Sequence, residues 1–464
     1  MSVTSLVVGS GLDLETLVTN MVSVQRDTRV AAYEDKISDF ESEVSAYGAI
    51  KSALEAFEDA VEDLSDESLF TGRTATTTQP SSGDIVSVTA DSDASNGSYN
   101  ISVSQLAQGS RSVSAAGLFS SSDDVVSATG GDLTFTAGDE TFTISVAANT
   151  TLSELREQIN DASDNFGVSA NLVDDGNGNV YLTLNSDVSG DGNDLVVTNT
   201  DESLDNVSSV ATGTGTAGLS IAAGDGAQDA IISVDGITIN SDTNTFEDAV
   251  SGLTIKALAE SEDDGSGNLE TATAAVNYDT DTVKETLESF VEAYNSLLTK
   301  FDTYTATDAV LNGSSLIRGL ESSLNSDLMT VFDNAGALSS IFDLGIEMDD
   351  NNYLSIDSTK FSEAMDESYD DVVTLFSSEN GLANIMSDYL DNFTGSGGLL
   401  KDMIDASQES VDKTETQLEN YEYRMELYEE QLRERFTTLD TLLASMSSNG
   451  DYLLTQLSSL SSSS

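Results

Sequence analysis

The sequence has no histidine, no cysteine, no tryptophan and a single proline, Pro80, in 464 residues. Without imidazole there is no side-chain base that titrates near neutrality and no Ser-His-Asp triad. Without thiolate or imidazole the ordinary zinc sites and the cysteine nucleophile are excluded as well. Carboxylate chemistry survives, because 82 Asp and Glu remain. A chain this acidic brings carboxylates together by chance, however, so they indicate no particular reaction. The protein is read as a non-enzyme, with no catalytic residue, no metal and no cofactor. Cations are scarce too. There are 17 Lys and Arg, for a formal net charge of −65, and between Thr74 and Val283 only Arg111, Arg156 and Lys256 occur. Phosphate backbones and anionic lipid surfaces both need clustered cations, so neither nucleic acid nor a membrane surface is an expected partner. The acid is spread along the whole chain. That reads as adaptation to a saline medium, which screens self-repulsion within ~3–8 Å, ahead of steering toward a cationic partner. No apolar run is long enough to span a membrane. The first residues, MSVTSLVVGSGLDLE, lack a basic n-region, so no cleavable secretory signal is expected.

Both ends of the sequence carry a heptad pattern. Apolar residues recur at Val30, Tyr33, Ile37, Phe40, Val44 and Tyr47, alternating steps of three and four, as a coiled-coil seam requires. The pattern resumes at Ile50 after a step of three where four was due, and Gly48 sits at that point. A stammer plus a residue that weakens a helix by about 1 kcal/mol relative to Ala predicts a kink or helix boundary near Gly48. At the other end a seam runs through Val411, Thr414, Leu418, Tyr421, Met425, Tyr428, Leu432, Arg435, Leu439, Leu442 and Met446, with Phe436 flanking Arg435. Residues 26–51 and 401–435 hold nine of the 17 basic residues, and such mixed charge suits exposed coiled-coil faces. If the two ends pair, the middle of the chain must loop out and return.

Residues 73 to 275 have a different texture. Short alternating runs such as Thr141–Val146 and Val180–Leu184 lie between turn dipeptides such as Asn96-Gly97 and Asp235-Gly236. Thr151 and Glu154 form a capping box that opens a helix, and a second short helix is expected from Thr245, with Asp248 as a weaker box partner. The Ser/Gly/Ala/Thr-rich stretch 208–228 reads as a domain boundary. After Val276 helical periodicity returns, in Val283–Leu298, Ser315–Leu328 and Ser358–Leu375. The expected fold is therefore α+β and multidomain. Antiparallel β-rich head domains are inserted between N- and C-terminal helices that form a helical bundle and a coiled-coil leg. The expected divisions are 1–44 (leg), 45–72 with 276–407 (helical body), 73–107 with 222–275 (first head domain), 108–221 (second head domain) and 408–464 (leg and tail). The Asp174–Asn179 loop gathers oxygen atoms that could ligate calcium, but Asp/Asn/Gly runs are also ordinary turn composition and the spacing is not that of an EF-hand.

Several segments, taken in order, resemble the flagellar filament-capping family, hook-associated protein 2 or FliD. They are Gly9-Ser10-Gly11-Leu12-Asp13 with Leu17-Val18, then TLSELREQIN (Thr151–Asn160), AIISVDGITINSDTNTFEDAVSGLTI (Ala230–Ile255) and VKETLESFVEAYNSLL (Val283–Leu298). LGIEMDDNNYLSID (Leu344–Asp357), LFSSENGL (Leu375–Leu382) and the segment Tyr428–Leu457 follow. Family members often carry an acidic residue and a proline soon after the first motif. Here that stretch reads Val24-Gln25-Arg26-Asp27-Thr28, without the residue that would break a helix. The resemblance implies a secreted homo-oligomer, a pentamer or hexamer, at the distal tip of the bacterial flagellum. It implies export through the flagellar channel, an export chaperone beforehand, and flagellin and the hook–filament junction proteins as partners. Another axial flagellar protein and a surface adhesin are the alternatives. Helices with an incompletely buried apolar stripe suit docking and release, which makes Leu12, Leu14, Leu17, Leu439, Leu442 and Leu453 the expected filament contacts. The expected coiled-coil seam is Val30, Tyr33, Ile37, Phe40 and Val44 against Leu418, Tyr421, Met425, Tyr428 and Leu432.

Overall fold

The computed structural model describes residues 13–332 and 336–461. The first helix, α1 (Leu14–Ser65), is followed by a 3-10 turn and strands β1 (Arg73–Thr78), β2 (Val86–Ala90), β3 (Gly97–Gln105), β4 (Gly109–Ser114), β5 (Gly131–Ala137) and β6 (Glu140–Val146). After α2 (Leu152–Asn160) come β7 (Val168–Asp174), β8 (Val180–Ser189), β9 (Val196–Asn199), β10 (Leu219–Ile221), β11 (Ala230–Val234), β12 (Ile237–Ser241), β13 (Thr245–Val250), β14 (Leu253–Ala257) and β15 (Ala272–Tyr278). Then follow α3 (Thr280–Thr305), α4 (Ser315–Leu328), a small hairpin of β16 (Ile346–Met348) and β17 (Leu354–Ile356), α5 (Ser358–Glu367), α6 (Tyr369–Ser377), α7 (Leu382–Thr394) and α8 (Leu399–Ser461). The chain divides into two units. One is helical, from the described parts of Met1–Leu69 and Thr280–Ser464, and the other is β-rich, Phe70–Asp279. The fold is α+β, with antiparallel sheets inserted between N- and C-terminal helices.

The helical unit is organised by α1. Asp13 caps it, its Oδ1 accepting the Thr16 amide at 3.0 Å. From Ala46 onward one face is buried in a bundle, through Ile50, Leu54, Phe57, Val61 and Leu64. Phe57 meets Phe290 and Tyr294 of α3 at ring separations of 5.3 and 5.7 Å. Before Ala46 the helix contacts α8, and burial is thinner. Gly48 stands at this change of packing, yet α1 runs through it without a boundary. The expected boundary is absent because the buried face on either side, at Ala46 and Ile50, is continuous, and this packing outweighs the weak helix preference of one glycine. The stretch Val24–Thr28 is helical too. One expected helix, Ser358–Leu375, is two. Ser368 leaves the helical region (φ −143°, ψ 37°), which separates α5 from α6. The amphipathic helix α7 was not anticipated; it buries Leu382, Met386 and Leu390.

The β-rich unit contains two separate cores. In the first, the five-stranded sheet β1-β15-β3-β11-β12 faces the three-stranded sheet β13-β14-β2 across Val86, Ile101, Ile232, Ile255 and Val276. In the second, the sheets β10-β4-β8-β7 and β6-β5-β9 enclose Leu133, Phe135, Phe142 and Leu184 together with Leu152, Leu155 and Ile159 of α2. The Thr151–Glu154 capping box is present in both directions: Thr151 Oγ1 accepts the Glu154 amide and Glu154 Oε2 accepts the Thr151 amide. Asp235 and Gly236 turn β11 into β12 with φ of 48° and 83°, as a two-residue hairpin demands. The helix expected from Thr245 is instead strand β13. Phe246 is drawn into the first core opposite Ile255, and Asp248, at φ 56°, sits in a bulge between Glu247 and Val250 rather than in a cap. The stretch 208–228 is not a bare linker: β10 lies within it and pairs with β4.

A side chain built on Gly48 would meet nothing within 4 Å, and its backbone is helical. Gly48→Ala is therefore expected to stabilise the helical unit by about 1 kcal/mol. Chemical denaturation checks this, and an unchanged or lower midpoint would show that the glycine is required there.

Candidate functional site

The two ends of the sequence meet in an antiparallel pair. Arg433 contacts Glu15, Tyr421 contacts Gln25, Arg26 contacts Glu422 and Ser407 contacts Glu43, so the partner number on α8 falls as α1 advances. Of the expected seam, Met425 and Leu432 are buried, and Val30, Tyr33, Ile37, Phe40, Val44, Leu418, Tyr421 and Tyr428 are half-buried. The tightest part of the pair was missed from sequence. Val18 is fully buried and Val22 nearly so, packed with Met425 and Leu432 and flanked by Tyr421, Tyr428 and Phe436. Leu14, Val18 and Val22 step by four each time, a helical period that a strict three-four reading passes over. Between Val22 and Val30 the α1 seam is polar, and α8 answers with polar contacts. Tyr421 Oη donates to the Gln25 carbonyl at 2.7 Å while its ring tilts against Tyr33 at 6.1 Å, and Arg26 pairs with Glu422 at 2.8 Å. The Arg26 guanidinium is held above its usual value by the Glu422 carboxylate. On α8 the seam passes from Leu432 to Phe436, leaving Arg435 exposed.

Arg433 bonds both Glu429 on its own helix and Glu15 on α1, which raises its pKa. Beyond that contact α8 continues for 28 residues to Ser461, about 40 Å of helix. Its side chains there are large, apolar and uncovered: Leu439 is 44% exposed, Leu442 55%, Met446 63%, Leu453 60% and Leu457 62%. Near the start of α1, Leu17, Met21 and Val24 are also exposed and share one face by their spacing of four and three. Leu14 differs. It is buried, so its side chain belongs to the packing and not to the exposed set. Leu12 and most of the Gly9–Asp13 motif lie outside the described residues.

The acidic loop Asp174–Asn179 is a self-closed turn. Asp175 Oδ1 accepts the Asn177 and Asn179 amides at 2.8 and 3.1 Å, and its Oδ2 accepts the Asn179 side-chain amide at 2.8 Å. A second loop, Asp263–Asn268, repeats the pattern around Asp264. These carboxylates are committed to their own backbones, and among the described residues no group of three or more acidic side chains is set to hold a metal ion.

The comparisons agree with this architecture. The model of the flagellar hook-associated protein 2 N-terminus matches residues 10–110, that of its C-terminus matches residues 227–448, and that of the flagellin hook IN motif matches residues 132–188. A flagellar hook-associated protein 2 of Aeromonas caviae is 34% identical over 466 residues, covering 98% of each chain. The chain belongs to the flagellar hook-associated protein 2 family. An A-type flagellar hook-associated protein 2 of Pseudomonas aeruginosa is 28% identical, covering 97% of this chain and 96% of its own. Among solved structures, the D1-D2-D3 domains of the Escherichia coli flagellar cap protein FliD align with a TM-score of 0.59 at 27% identity, over 78% of this chain and 99% of that one. This is a family of structural flagellar proteins.

The Asn179 side chain and the amides of Asn177 and Asn179 hold the Asp175 carboxyl below its usual value. A depressed folded pKa contributes stability that is present above the unfolded value, about 3.9, and is lost as pH falls through the folded midpoint. An NMR titration of the Asp175 carboxyl is expected to show a midpoint below that of unfolded aspartate, with the Asn177 and Asn179 amide signals moving in step. A midpoint at or above the unfolded value would mean the loop is open in solution.

Proposed function

We propose that the protein caps the distal tip of the flagellar filament, as an oligomeric plate of five- or six-fold symmetry that promotes folding and insertion of exported flagellin and prevents its loss. Its role is structural, not catalytic. It is exported through the flagellar channel after release from a chaperone and meets the hook–filament junction proteins on the way. The division into two leg segments (1–44 and 408–464), a helical body (45–72 with 276–407) and two head domains (73–107 with 222–275, and 108–221) is part of the same reading. Two distinct β cores support the head division.

The observation that carries this function is the run of uncovered apolar side chains on α8 past Arg433. Exposed leucines on a long helix are a partner surface, because an apolar stripe that meets water loses the burial energy a partner would supply, about 25 cal/mol per Å². Leu17, Leu439, Leu442 and Leu453 are proposed to contact the filament end. The contact is renewed as each flagellin adds, which a helix with an incomplete seam permits.

Replacing Leu439, Leu442 and Leu453 with serine is expected to leave the helical content unchanged. In a strain lacking the wild-type protein, the variant should shorten filaments at least several-fold and release monomeric flagellin into the medium. Electron microscopy and a flagellin assay of the supernatant check it, and filaments of normal length would overturn the assignment.

A further inference from the structure

Past its contact with Glu15, α8 keeps one face turned inward. Leu432 is buried, Phe436 half-buried, Asp440 buried and Ala444 half-buried, a step of four each time that continues the seam. Asp440 differs in kind from its neighbours on that face. It is 6% exposed, while Leu439 and Leu442 beside it are 44% and 55% exposed. A carboxylate withdrawn from water needs a cation or hydrogen-bond donors against it. The cations nearest in the seam are engaged or turned away. Arg433, two turns back, is bonded to Glu15 and Glu429, Arg435 is exposed, and α8 has no Lys or Arg after it. The first cation of α1 is Arg26, which pairs with Glu422. The first turn of α1 offers the acids Asp13 and Glu15, and both the amide and the hydroxyl of Thr16 are given to Asp13.

The register of the helix pair indicates which residues stand across from Asp440. Glu15 is level with Arg433, so Asp13 is level with about residue 435, and Asp440 stands about 7 Å farther along α8. That distance is about five residues of helix or about two of extended chain. Counted back from Asp13 it ends between Val8 and Gly11, which brackets the Gly9-Ser10-Gly11 motif. We propose that Asp440 holds Gly9-Ser10-Gly11 against α8, its carboxylate accepting hydrogen bonds from the backbone amides of the motif. Two glycines let bare backbone approach the carboxylate, where a Cβ would hold it off. Successive amides make a concave site that favours an anion and satisfies a carboxylate without a cation. The positive end of the α1 dipole lies on the same side, because the two helices are antiparallel. An apolar segment in that place would strand the carboxylate, and an acidic one would repel it. The contact is internal to the chain and does not depend on what the exposed leucines meet. It closes the seam one turn beyond Phe436 and leaves Leu439, Leu442 and Leu453 outside it.

The absence of cysteine provides a clean test. Ser10→Cys with Ala444→Cys sets one thiol in the motif and one on the inward face of α8, a turn beyond Asp440. Ser10→Cys with Thr438→Cys sets the second thiol on the exposed, opposite face. Under mild oxidation the first full-length protein is expected to close a disulfide within the chain at least ten-fold faster than the second, read by loss of free thiol and by the masses of the linked peptides. In parallel, hydrogen exchange followed by mass spectrometry compares the wild type with Asp440→Leu, which keeps the helix and makes the seam more apolar. The amides of residues 9–11 are expected to exchange at least ten-fold faster in the variant, while those around Phe57 keep their wild-type rates and show that the helical unit is folded. Equal rates of closure for the two cysteine pairs overturn the placement of the motif. An Asp440→Leu protein whose residues 9–11 are protected as well as in the wild type overturns the role of the carboxylate. Disulfides that form between chains and not within one overturn the choice of the chain's own motif as the partner.

Discussion

The pairing of α1 with α8 is the constraint on which the rest of the chain depends. It joins residues some four hundred positions apart: Glu15 to Arg433 and Arg26 to Glu422. Closing so long a loop costs entropy that grows only slowly with length, but the ion pairs cannot meet it, because each is largely exposed and contributes at most about 1 kcal/mol. The closure is held farther along α1, where Phe57, Val61 and Leu64 lie in a bundle with α3 and α7. Once the bundle has fixed the second half of α1 and the start of α8, the remaining turns of the two helices are neighbours already. They need only a thin seam to stay together.

That division of labour decides what could be read from the sequence. The heptads were legible because the seam residues are apolar and regularly spaced, and the helices α3 and α4 were legible for the same reason. The contacts at Val18 and Val22 escaped notice because their four-residue step does not match a heptad. Thr245 looked like a helix start because local capping chemistry ignores what happens opposite it: pairing of Phe246 with Ile255 across a sheet is a long-range event that outweighs the local preference. At Gly48 the expected helix boundary is absent for the same kind of reason, since packing on both sides of it outweighs the intrinsic weakness of one residue. In the candidate site, Leu17, Leu439, Leu442 and Leu453 were named from sequence and are exposed, whereas Leu14, one turn from Leu17, is buried. Sequence spacing gives a face of a helix but does not say which face a partner helix has already taken.

Charge imposes the second constraint. With 82 acidic residues to distribute, the sheets keep their outward positions mostly to Ser, Thr and Asn and leave acid to turns and helices. In the turns the acid is structural. Asp175 and Asp264 use their carboxylates to hold the amides of their own loops, so their charge is already compensated by backbone dipoles. The acidity therefore includes carboxylates that shape turns and carboxylates on helix surfaces, a few of which, such as Glu15 and Glu422, pair with arginines across the seam.

Burial along α1 is uneven. Toward Leu64 it is locked by fully buried aromatic and aliphatic side chains; between Val22 and Ala46 no side chain is fully buried and the contacts to α8 include a tyrosine hydrogen bond and an ion pair; at Leu14, Val18 and Val22 the inner face is buried again while Leu17, Met21 and Val24 stay outside. Local opening begins where buried apolar contacts are fewest. The exposed leucines of α8 lie past its contact with Glu15, so they can change contacts while Val18, Val22 and Phe57 stay packed. A protein that must hold a growing surface and repeatedly let go of it needs this separation. If the seam were as well packed as the bundle, its apolar residues would be satisfied within the chain and none would remain for a partner.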